Sequence, residues 1–84
     1  MSTTRSWSVR HGADLGRALA EVRAARGWTQ AELADAIQVD RTYLARMESG
    51  RSARLLEHLL RALRQSGADV IVTWQVEDAD GPGG

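Results

Sequence analysis

The chain has 84 residues and forms one domain; at that size it buries only a little over ~60% of its unfolded surface, so its own core is small and a partner subunit would add to it. It has no cysteine, which excludes a disulfide framework and thiolate metal sites and fits a reducing cytoplasm. There is neither an apolar run of membrane length nor a signal-peptide pattern, so a soluble, cytoplasmic protein is expected. The net charge is zero, but all eleven cations are Arg and lie within residues 1–67 against seven carboxylates, whereas residues 68–84 hold four carboxylates and no cation.

Arg keeps its charge at every physiological pH and presents a planar fork that fits phosphate and guanine, so an Arg-only basic body suits DNA. A GC-rich genome produces the same bias. Residues 1–12 form an N-terminal arm in which Trp7 and Val9 alternate with Ser6, Ser8 and Arg10. That pattern fits a short edge strand or a solvated tail. Asp14 is expected to cap a helix through Arg26 that gathers Leu15, Ala18, Leu19 and Val22 on one stripe and turns Arg17, Glu21 and Arg23 outward. Gly27 stops it, and Trp28 is expected to plug the core between this helix and the next.

From Thr29 to Gly50 the sequence describes two short helices and a tight turn, a helix-turn-helix. Thr29 with Glu32 three residues on makes a capping box, and Leu33, Ala34 and Ile37 follow at helical spacing. The first helix ends near Gln38. Asp40 caps the second, Leu44 and Met47 bury its stripe, and Ser49-Gly50 stop it. Arg41, Thr42, Tyr43 and Arg46 then point outward, with side chains able to reach base edges and phosphates. Beyond a basic link, Ser52 can cap a helix through Ser66 whose Leu55, Leu56, Leu59, Leu60 and Leu63 cover more than one narrow stripe. In so small a domain that surplus suits a subunit interface. After Gly67, Val70, Val72, Trp74 and Val76 alternate with Ile71, Thr73 and Gln75 as in a strand. A lone strand needs a partner, either residues 7–9 of the arm or the same strand of a second subunit. Residues 77–84 are an acidic tail rich in breakers, expected to be disordered. His11 and His58 have no carboxylate or second His at ligand spacing in the sequence and are expected on the surface. No metal site, cofactor or catalytic constellation is expected, and the chain is not read as an enzyme.

The run GWTQAELADAI, a short turn and TYLARMESGR resembles the Cro/CI/XRE family of DNA-binding domains over about Leu15 to Leu63 without a gap. Gln38 departs from it, standing where the family usually has a turn glycine. The resemblance implies a mostly α, lambda-repressor-like bundle of four to five helices over residues 13–67, with residues 68–76 as a strand pairing across a dimer. It also implies binding to double-stranded operator DNA through Thr29, Gln30, Arg41, Thr42, Tyr43, Arg46 and Arg51, with Arg41, Thr42 and Arg46 at base edges and Gln30 and Arg51 on phosphates. Within the family, a strand after the leucine helix is similar to HipB-type antitoxins. That implies a homodimer, formed through Leu59, Leu63 and Val70, Ile71, Val72, Thr73 and Trp74, which represses its own operon and holds a HipA-type Ser/Thr kinase toxin. A stand-alone regulator and an interaction module that has lost DNA binding are the alternatives.

Overall fold

Small hydroxyl residues alternate with larger ones at the start of the chain. In the computed structural model, which describes residues 2–51 and 53–77, that period becomes a strand, β1 (Ser2–Val9). The alternating segment at the other end is a second strand, β2 (Val70–Glu77), and the two pair antiparallel with Val9 opposite Val70, Trp7 opposite Val72 and Arg5 opposite Trp74. Directly opposed residues share a face. Trp7, Val9, Val70, Val72 and Trp74 are therefore turned toward the helices, while Ser6, Ser8, Ile71 and Thr73 are exposed. The partner expected for β2 across a dimer is thus supplied, on one edge, by the chain's own arm. The reason is proximity: both strands end where the helical body begins and ends, so closing the ribbon needs no second chain.

Four helices lie between the strands: α1 (Gly12–Ala25), α2 (Gln30–Ala36), α3 (Arg41–Glu48) and α4 (Arg54–Gln65). Asp14 is not the cap of α1 but sits in its first turn, where its Oδ2 accepts the Arg10 and His11 backbone N–H groups at 2.9 and 3.1 Å; His11 is the capping residue. These bonds stabilise the ionised carboxylate and hold Asp14 below its ordinary pKa. At α2 the expected box is formed. Thr29 Oγ1 accepts Glu32 N at 3.1 Å, and Glu32 Oε1 accepts Thr29 N at 2.8 Å.

The turn between α2 and α3 runs through Gln38 at φ 60, the single positive-φ residue other than Gly among the described residues. The backbone where the family usually has a glycine is therefore left-handed, at a cost of roughly 1 kcal/mol relative to Gly. Val39 N closes the turn on Ala34 O at 2.9 Å. Ala34 of α2, Leu44 of α3 and Ala18 of α1 are all buried. Closest of all is Gly16 of α1, where an added Cβ would collide with the Met47 carbonyl and stand 3.2 Å from Gly50 N.

The leucine helix divides its surface. Leu60 is buried and Leu56 half-buried, whereas Leu55 and Leu59 are 79% and 55% exposed and Leu63 extends the same ridge. Polar contacts hold both ends of α4 to the body: Glu57 Oε2 accepts Gly12 N at 2.7 Å, and Arg64 Nη1 donates to Arg10 O at 3.1 Å. The helix starts after Ala53, whose side chain makes no cap; Ser52, the expected cap, and the acidic tail beyond Glu77 lie outside the described residues. His11 does have a carboxylate near it, with Nδ1 3.8 Å from Glu57 Oε1, a proximity that only the docking of α4 creates.

Candidate nucleic-acid interface

Asp40 Oδ1 accepts Thr42 N at 3.4 Å and starts α3, so the outward positions of this helix follow directly from burial of Leu44. Arg41, Thr42, Tyr43 and Arg46 are all exposed, as is Arg51 just past the left-handed Gly50. Among the described residues Arg41, Arg46 and Arg51 have no carboxylate within ion-pair distance. Their charge is therefore available to an external anion.

What fixes the angle of this face is a polar cluster beneath it. Leu44, Met47 and Glu48 stand at i, i+3 and i+4, so Glu48 shares the inward stripe, and its side chain is only 6% exposed. Arg23 of α1 meets it with a fork: Nε donates to Oε2 at 2.7 Å and Nη2 to Oε1 at 3.0 Å. Gln30 of α2 adds Nε2 to Oε1 at 3.0 Å, and Arg23 Nη1 reaches Trp28 O at 2.7 Å. One carboxylate thus ties three helices. The Arg23 bonds, then that from Gln30, hold Glu48 below its ordinary pKa against the opposing effect of burial, and Glu48 in turn raises that of Arg23.

This cluster revises two expectations. Arg23 does not face solvent: it lies four residues after Leu19 on the edge of the apolar stripe and uses its guanidinium inward. Gln30 is half-buried with its amide N–H held by Glu48, so its first role is to brace α2 against α3. Glu48 was not among the expected site residues, although its i+4 spacing from Leu44 is a signal the sequence carried. Trp28 is not a core plug either. It is 38% exposed, with the Arg26 guanidinium 5.6 Å from the ring centroid.

The expected site residues are brought together in part. Thr29, Gln30 and Arg41 line one shallow recess with Arg23 and Ala31, so the starts of α2 and α3 form a continuous surface. Arg46 lies further along the exposed face of α3, and Arg51 beyond its end. The expected dimer residues form two separate groups, Leu59 and Leu63 on α4 and Val70 to Trp74 on β2. In the second group Ile71 and Thr73 are outward while Val70, Val72 and Trp74 face the helices.

The sequence pattern of the family described as a helix-turn-helix domain matches residues 14–70, well over half of the chain. The chain belongs to this helix-turn-helix family. It is 31% identical over 71 residues to the competence pilus inhibition repressor of Acinetobacter baylyi, an alignment that covers 81% of this chain and 64% of that protein. The chain thus spans less than two thirds of the relative's length. No solved structure matches it significantly. That relative is named a repressor. Among the described residues, no helix is long and apolar enough to cross a membrane.

Proposed function

We propose that this helix-turn-helix protein is a cytoplasmic, sequence-specific repressor that binds double-stranded operator DNA as a homodimer. The observation that carries the proposal is the exposed set Arg41, Thr42, Tyr43 and Arg46 on a helix whose orientation is locked by Arg23, Gln30 and Glu48. With α3 in the major groove, Arg41, Thr42 and Arg46 meet base edges while Thr29 and Arg51 face the flanking phosphates and Gln30 braces α2 against α3 from within. Zero net charge does not oppose this, since association depends on the local field of the basic face. The dimer is formed through the Leu55, Leu59 and Leu63 ridge, too large an apolar stripe to leave in water, together with the outer edges of the β ribbon. A gel shift against the DNA upstream of its own gene, competed with scrambled duplex, tests the proposal. A shift competed equally by both duplexes would remove sequence readout, and no shift at all would leave an interaction module that has lost DNA binding.

The setting is a choice between two. An antitoxin holding a HipA-type Ser/Thr kinase toxin is supported by a strand following the leucine helix. A stand-alone XRE-type regulator is supported by the relative, which is named a repressor, and by β2 finding its first partner in β1. Co-purification with the product of the adjacent gene separates them: a retained kinase makes the protein an antitoxin, and none makes it a plain repressor.

A further inference from the structure

The apolar stripe of α1 is only partly covered. Leu15, Leu19 and Val22 are half-buried, and between them, Met47 at the end of α3, Leu56 of α4 and Val72 of β2 lies an open groove of about 400 Å³. That volume falls within the range of small-molecule sites, about 300 to 1,000 Å³. At about 30 Å³ for a water-sized group, it accommodates on the order of a dozen methylenes. The walls are apolar almost throughout. The one charged residue in the lining is Arg51, exposed and without a carboxylate partner among the described residues.

The geometry points to a binding site for an amphipathic anion, a medium-chain carboxylate whose hydrocarbon lies along Leu15, Leu19, Val22, Leu56 and Val72 and whose head group pairs with Arg51. An apolar wall with a single cation at the mouth is complementary to such a molecule at both ends. A second copy of the chain is a poorer occupant. Its exposed leucines would cover the apolar wall, but a leucine offers nothing to the Arg51 guanidinium at the mouth. Arg51 is also the residue directed at the phosphate backbone past α3, so a carboxylate held on it competes with DNA. The site would then act as an inducer site, and this consequence, though not the site itself, rests on the DNA-binding reading.

Isothermal calorimetry of the full chain with decanoate and with decanol, both kept below their aggregation concentrations, tests the site. Decanoate is expected to bind saturably at one per chain and more tightly than decanol. Arg51→Gln should weaken decanoate by about tenfold or more, the scale of one charge-assisted contact, while leaving decanol unchanged. Leu19→Trp, checked for retained helix by circular dichroism, should abolish both by filling the groove; if that variant fails to fold, the Arg51→Gln contrast decides. Absence of saturable decanoate binding, or equal weakening of decanoate and decanol by Arg51→Gln, overturns the proposal, as does a groove occluded by a second copy and closed to both probes. In a gel shift, decanoate should release bound DNA. A protein that retains no DNA even without decanoate counts against the operator reading alone, and the calorimetry still decides the groove.

Discussion

Arg23 and Glu48, twenty-five residues apart, are joined by two parallel bonds of 2.7 and 3.0 Å across the α1–α3 contact, and the recognition face rests on that fork. Losing either partner leaves a nearly enclosed charge uncompensated. We expect Glu48→Ala to destabilise the fold by about 3 kcal/mol and Arg23→Lys to recover little of the pair, since an ammonium cannot make both bonds. Urea midpoints of the three proteins check this; an Arg23→Lys variant as stable as the parent would show that the fork geometry is immaterial.

The same pair sets a pH dependence. Glu48 has its pKa depressed in the folded state relative to an ordinary glutamate near about 4.3, so its contribution is present above the unfolded value and lost as pH falls through the folded one. Asp14 and Glu32, held by backbone N–H groups, shift in the same direction. Stability should be flat above about pH 5 and decline below about pH 4. The gap in thermal midpoint between the parent and Glu48→Gln should close over the same range. A gap that persists unchanged at low pH would mean that ionisation of Glu48 contributes nothing.

Two glycines should behave oppositely to naive expectation about helices. Gly16 is inside α1, where Ala normally improves a helix, but its Cβ would strike the Met47 carbonyl. Gly16→Ala should cost about 1 to 3 kcal/mol as overpacking, against a helix-propensity gain of less than about 1. Gly27 at φ 73 has open space around it, so Gly27→Ala should cost only about 1 kcal/mol of backbone strain. Thermal unfolding of both variants gives the order, and a stabilised Gly16→Ala would place α1 further from α3 than described.

On DNA, Arg41→Ala and Arg46→Ala should lose discrimination, since a bidentate guanine contact is worth roughly 1 to 3 kcal/mol, whereas Arg51→Ala should weaken all sequences alike and reduce the salt slope by about 1. Titrations against operator and scrambled duplex at several salt concentrations separate the two outcomes. An Arg46→Ala variant that loses specific and non-specific affinity equally contradicts base readout.

Most of the element order was legible because it rests on local chemistry. The Thr29/Glu32 box, the Asp40 cap, the Leu44 stripe and the period-two run from Val70 each act within a few residues, so periodicity and capping rules placed them, and with them the outward positions Arg41, Thr42, Tyr43 and Arg46. Tertiary structure decided what the polar residues on those stripes do. Arg23 looked solvent-facing until α3 brought Glu48 to it. Gln30 looked free for phosphate until the same carboxylate held it, and the His11 imidazole met Glu57 only because α4 carried that carboxylate across. Pairing choices were undetermined for the same reason: the alternation in β2 shows that a strand needs a partner but not which one, because backbone donors and acceptors are identical in every chain. Only the placement of residues 2–9 beside residues 70–77 made that partner the protein's own arm. The exposed ridge of Leu55, Leu59 and Leu63 and the groove beside Leu56 arise likewise from which leucines the body could reach. Helical spacing names an apolar face, but only packing divides it into what is buried and what is left for a partner.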